Sequence, residues 1–147
     1  MNNIFFYKAD KAVNLKNKSS VRSLINSLFA QERFALNRID YIFCSDKYLL
    51  KINRKYLNHN TLTDVITFPL SCKDDPILGE IYVSIERIKE NAKTYNVLYQ
   101  NELLKVLIHG ALHLCWYNDN TDYKKNQMRS KEDFYLNKFN VSREAHI

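Results

Sequence analysis

Glycine and proline are scarce in this sequence, with two of each in 147 residues. That scarcity excludes a Gly-rich linker, a collagen-like repeat and a Pro-rich module. Cysteine is also sparse: Cys44, Cys72 and Cys115 are odd in number and form no Cys-x-x-Cys pair. A disulfide scaffold is therefore not expected, and a reducing cytoplasm suits the chain better. No apolar run approaches the ~20 residues that a bilayer-spanning helix requires. The apolar stretch before Lys8 is too short for the core of a signal peptide.

What is present describes a soluble globule. Apolar residues make up 46% and charged residues 26%, against the apolar-poor composition of disordered chains. The length fits one domain, residues 1–147, with a core large enough to need no staples. A net charge of +6 favours a polyanionic partner without specifying one.

Patterning gives strands early and helices late, hence an α+β fold. Ile4 to Tyr7 reads as a strand, and Val21, Leu24, Ile25, Leu28 and Phe29 recur at helical spacing behind Ser19 or Ser20 as cap. Ile39 to Cys44 reads as a second strand, with Tyr41 and Phe43 on one face. Ser45 then caps a helix that turns Leu49, Ile52 and Tyr56 inward. After the polar connection 57–63, Asp64 to Phe68 is a β-branched strand ended by Pro69. A loop containing Pro76 and Gly79 leads to a strand over Glu80 to Val83. Ser84 caps a helix with Ile85, Ile88, Ala92 and Tyr95 inside, and further helices are expected over 101–117 and 125–139.

The segment 101–117 is unusual. Leucine, isoleucine, valine and alanine cover most of its circumference, so it belongs in the middle of the domain. Its polar residues Glu102, Lys105, His109 and His113 are spaced three, four and four apart and share one stripe. Four residues advance a helix by ~6 Å and rotate it by ~400°, so His109 and His113 project side by side and can grip one metal ion. Asp119, in the polar turn 118–122, can fold back as third ligand, with Asp122 a nearby rival. Two imidazoles and a carboxylate leave a position for water, as in catalytic rather than structural zinc sites. Metal binding brings that water's pKa toward neutrality.

A zinc peptidase would place Glu directly after the first histidine. Gly110 stands there instead, which argues against a peptidase and for close approach of another backbone or a substrate. Cys115 reads as buried packing. His59 lies in a loop where a solvated histidine is the plain alternative, and His146 lies near the terminus. Lys124, Lys125, Arg129 and Lys131, with Arg54 and Lys55, could track a phosphate backbone, although a solvated charged face is the default.

The stretch His109-Gly-Ala-Leu-His113-Leu-Cys-Trp-Tyr117-Asn-Asp119 resembles the His-Gly-x-Leu-His-Leu-x-Gly-Tyr-Asp-His signature of the YbeY-type endoribonucleases, bacterial rRNA maturation factors. Tyr56-Leu-Asn-His-Asn-Thr-Leu-Thr63-Asp64-Val-Ile-Thr-Phe68-Pro69 is similar to a second family block. Leu78-Gly-Glu-Ile81 looks like a third, and Met128, Glu132, Tyr135 and Leu136 match the closing helix. The resemblance spans about residues 39 to 139. It maps the metal positions onto His109, His113 and Asp119, where aspartate replaces the family's third histidine. Trp116 replaces a glycine at the end of the metal helix. The family arginine implicated in activity falls on Leu57, which cannot neutralise a phosphate.

The resemblance implies a small mixed sheet of about four strands packed by about five helices around a buried metal-binding helix. It also implies a zinc-dependent, cytoplasmic endoribonuclease that uses one ion per chain and a metal-activated water on small-subunit rRNA, with no DNA or membrane partner expected. No general base is evident, so either the metal-bound water or the RNA 2′-hydroxyl serves. Either Arg54, Lys55 or His59 supplies the missing cation, or the chain is a ribosome-associated RNA-binding factor with little turnover.

Overall fold

The computed structural model describes residues 2–144, with side chains to residue 140. His146 lies outside the described residues. Nine elements follow in the order β1 (Ile4–Lys8), α1 (Lys18–Gln31), β2 (Leu36–Cys44), α2 (Asp46–Leu57), β3 (Val65–Pro69), β4 (Ile77–Ser84), α3 (Ile85–Tyr95), α4 (Tyr99–Leu114) and α5 (Asp122–Glu144). The expected α+β class, with four strands and five helices, is what forms.

The strands lie in the order β1-β2-β4-β3. The first three are parallel and β3 runs antiparallel along the edge of β4. Alternation sends Ile39, Tyr41 and Phe43 of β2, with Ile81 and Val83 of β4, into the main core. There they meet α1, α4 and α5 through Leu28, Leu107, Ala111 and Tyr135. The Tyr41 hydroxyl donates to the Leu107 carbonyl at 2.8 Å, which fixes the central helix to the central strand. The opposite face is thin: Cys44, Leu49 and Ile66 form a small separate cluster under α2.

Several boundaries differ from the sequence-based expectation. Asn17 takes the N-cap position of α1 in the left-handed region without a side-chain cap bond, so Ser19 and Ser20 fall inside the first turn. Ser45 and Ser84 do cap, accepting from the amides of Tyr48 and Arg87. Tyr56 and Tyr95, expected inward, are exposed; Tyr56 only sets its ring edge-on against Phe68 of β3, and both lie in the last turn of their helices. Gly79 lies inside β4 rather than in a loop. A Cβ there would sit 2.8 Å from both Leu114 methyls.

Gly110 answers it from the other side of the same seam. A Cβ on Gly110 would sit 2.8 Å from Ile81 Cγ2, so what comes close at this glycine is the sheet. Both glycines of the chain therefore serve one purpose, letting α4 settle onto β3 and β4. That close seating brings the histidine stripe to the end of the sheet.

Helix α4 stops at Leu114, three residues before the expected end. The chain turns there through Trp116 at φ 69°, a conformation that glycine adopts far more readily. The Trp116 amide bonds the His113 carbonyl at 3.0 Å and the Tyr117 amide bonds Leu112 at 3.2 Å, the paired bonds of a Schellman cap.

Candidate metal centre

The helical stripe emerges into a cavity of about 690 Å³ between α4, β3 and the end of α2. His109 and His113 stand one turn apart with their Nε2 atoms 2.9 Å from each other. Each ring is set by its other nitrogen. His109 Nδ1 donates to Glu132 Oε2 at 2.7 Å, and His113 Nδ1 donates to the Tyr117 carbonyl at 3.0 Å. With Nδ1 carrying the proton in both rings, both Nε2 lone pairs point inward, where they repel unless a proton or a cation is shared between them.

Asp119 Oδ2 lies 3.8 Å from His109 Nε2. One ligand atom from each of His109, His113 and Asp119 falls within 4.8 Å of the others. Tetrahedral bonds of about 2.0–2.1 Å would put ligand atoms about 3.4 Å apart, a value that the observed 2.9 and 3.8 Å straddle. The donor set is two neutral imidazoles and one carboxylate, with each imidazole held from behind, so the residues fit a divalent metal such as zinc. Asp122 does not join them; it sits in the first turn of α5, where a carboxylate complements the helix dipole.

The electrostatics follow the same plan. Burial pulls the His109 pKa down, but the Glu132 carboxylate, with Asp64 and Asp119 nearby, outweighs it and holds the imidazole above its ordinary value. Burial and the neighbouring His109 push His113 below. Burial raises Asp64, and also Glu102. Asn91 Nδ2 donates to Asp64 Oδ2 at 3.3 Å. Cys115 is not among the side chains that converge here; it is buried in the core, and burial pushes its thiol up to about 12.

Behind the site, Glu32, the residue that caps the end of α1, has a largely buried side chain and accepts from the hydroxyl of Tyr117 at 2.6 Å, from the hydroxyl of Tyr135, and from Lys131 Nζ at 3.2 Å. The chain of contacts runs from Glu32 through Tyr117 to the His113 ring. Lys131, grouped by sequence with a basic surface cluster, is thus tied into this support.

Of the residues considered for RNA contact, His59 lines the cavity beside Leu57. Arg54 bonds Asn60 Oδ1 at 2.5 Å, and Lys55 lies over the Tyr56 ring; neither lines it. Buried Asn53 holds the connection 58–63 in place, donating to the Thr61 carbonyl at 2.9 Å. Sequence reasoning did not anticipate the support roles of Glu132, Tyr117 and Glu32. Glu132 carried the one available signal, a charged residue among the apolar positions of an expected helix.

Comparison with known proteins points to one family. The family model described as Endoribonuclease YbeY matches residues 4–140. Endoribonuclease YbeY of Flavobacterium psychrophilum is 46% identical over 137 residues, covering 93% of this chain and 96% of that protein. The protein of the same name from Cytophaga hutchinsonii is 42% identical over 133 residues, covering 90% and 93%. The solution structure of a Thermotoga maritima protein superposes with a TM-score of 0.67 at 26% identity, covering 97% of this chain and 93% of that one.

Proposed function

The chain belongs to the YbeY endoribonuclease family, and from that premise we propose that it is a zinc-dependent endoribonuclease cutting single-stranded RNA in rRNA processing. Its substrate is the 3′ end of small-subunit rRNA, and its place is the cytoplasm beside the ribosome. The observation that carries this reading is the convergence of two oriented Nε2 atoms and the Asp119 carboxylate in the wall of a cavity of about 690 Å³. Among the described residues no helix is long and apolar enough to cross a membrane.

In this reading His109, His113 and Asp119 hold one zinc ion. Bound there, zinc supplies Lewis acidity toward a phosphoryl oxygen and a water of lowered pKa. Glu132 and the Tyr117 carbonyl keep both rings in the ligating tautomer. Asp64, raised by burial and held by Asn91, is the cavity carboxylate suited to take up a proton from an attacking hydroxyl. His59 and Leu57 form the opposite lip, against which a base or sugar can rest. Arg54 and Lys55, outside the cavity, attract the polyanion at longer range.

The test is cleavage of a 3′-terminal small-subunit rRNA fragment by zinc-loaded protein, with His113→Ala prepared identically. Cleavage that vanishes in the variant supports the reading. Equal traces in both sink it and favour the second reading, an RNA-binding factor with little turnover, which the aliphatic Leu57 on the cavity wall keeps in view.

A further inference from the structure

The charge lining the cavity is lopsided. Asp64, Glu102, Asp119 and Glu132 all face it, and Lys105 is the one lysine or arginine that does so among the described residues. Lys105 lies on the same stripe of α4 as the histidines, four residues and so about 6 Å before His109. It is half-buried, yet none of the hydrogen bonds or ion pairs of the described residues involves its ammonium group. Glu102, three residues earlier on the stripe, makes no ion pair with it and is itself raised by burial, which its lysine neighbour only partly offsets. A half-buried lysine aimed into a cavity with no internal partner has donors to give to a ligand. A polyanion entering past four carboxylates needs such a cation near the bond to be cut.

We propose that Lys105 is the substrate-binding cation of this cavity, donating to a phosphoryl oxygen of the RNA one helical turn before His109, the nearer of the two metal-binding histidines. This rests on the endoribonuclease reading and adds the residue that holds the phosphate. Lysine serves as a compact point charge for phosphate, and its flexible stem suits a site entered along a helix. The candidates outside the cavity cannot take this part, because Arg54 is bonded to Asn60 and Lys55 lies over Tyr56.

Two readouts separate this assignment from the activity itself. The first is the affinity for a non-cleavable single-stranded 2′-O-methyl RNA, measured by fluorescence anisotropy across a salt series. The second is steady-state cleavage of the unmodified strand. Lys105→Met is expected to flatten the slope of log affinity against log salt by about 0.7, the loss of one phosphate contact to a single strand. It should also lower kcat/KM roughly 100-fold, the scale of one lost donor to developing charge, with an unchanged Tm. Lys105→Arg should keep the native slope, and Leu57→Arg added to Lys105→Met should restore slope and cleavage by returning a cation to the same cavity. A native slope and native kcat/KM in Lys105→Met would overturn the assignment while leaving the nuclease intact. A slope flattened equally in Lys105→Met and Lys105→Arg would also overturn it, since charge would not be the cause. Should the native protein bind the strand but cut nothing, the endoribonuclease reading fails, and the salt slope alone still decides the role of Lys105.

Discussion

The two walls of the cavity are made differently. On one side, both histidine rings are held from behind: Glu132 of α5 on His109, the Tyr117 carbonyl on His113, and Glu32 in turn on Tyr117. On the other, the end of α2 and the connection that follows it are largely exposed, held by buried Asn53 on the Thr61 carbonyl and by the bond from exposed Arg54 to Asn60. The first wall has little room to change, because each ring orientation depends on contacts from several elements. The second can trade Leu57 for another residue with little structural consequence. A ligand set that must converge to within a few tenths of an ångström needs the first kind of wall; a lip that meets a flexible strand does not.

The sharpest way to break this contrast is to disturb the seam under α4. Gly110→Val should destabilise the protein by about 3 kcal/mol, the upper end of overpacking costs, because even a Cβ there meets Ile81 at 2.8 Å. Urea unfolding checks it, and an unchanged midpoint would mean that the seam is soft.

Glu32→Gln should cost about 2 kcal/mol at pH 7, since hydrogen bonds to a buried charged group are among the strong ones. Burial pushes the Glu32 carboxyl up, but the donors Tyr117, Tyr135 and Lys131 outweigh it and hold the pKa below its ordinary 4.5. A depressed carboxyl stabilises the fold above its unfolded value. That contribution is lost as pH falls below about 4.5 through the lower folded value. Stability measured against pH should therefore fall more steeply below pH 4.5 in the native protein than in Glu32→Gln. Parallel curves would remove Glu32 from the account.

Glu132→Gln should weaken zinc 10–100-fold, the usual effect of losing a carboxylate behind a ligating histidine. Competition with a chromophoric chelator reads it directly. Trp116→Gly should stabilise by about 1 kcal/mol, because a left-handed residue with a Cβ costs about 1–2 kcal/mol and φ is 69° there. On the other wall, Leu57→Ala should change stability by no more than about 0.5 kcal/mol. A loss as large as that of Gly110→Val would erase the difference between the walls.

The better-braced wall was also the more legible one, but only in part. The three-four-four spacing of Glu102, Lys105, His109 and His113 exposed the stripe, because helical periodicity is written locally in sequence. The importance of Gly110 was legible too, although not that the sheet was what it admits. Spacing alone left Asp122 as a rival to Asp119, and it was the family resemblance that pointed to Asp119; the turn that carries it depends on Trp116 adopting a conformation that its residue type disfavours. Glu132 lies 23 residues from His109 and Glu32 lies 85 from Tyr117, so no local pattern could join them. Gly79 was taken for a loop residue because its reason, the Leu114 side chain, belongs to a different element. The inward placement of Tyr56 and Tyr95 failed because periodicity extends a stripe to the last turn of a helix, where both tyrosines lie, and carries no information on what covers that turn.

The central claim is that the braced wall aims two Nε2 atoms and the Asp119 carboxylate at one metal ion. A crystal structure of the zinc-loaded protein with anomalous data at the zinc edge tests it most directly. The expected result is one strong peak about 2.0–2.2 Å from His109 Nε2, His113 Nε2 and an Asp119 oxygen, with Glu132 still on His109 Nδ1. A peak elsewhere, or ligation through Nδ1 with Glu132 and Tyr117 displaced, would contradict the account.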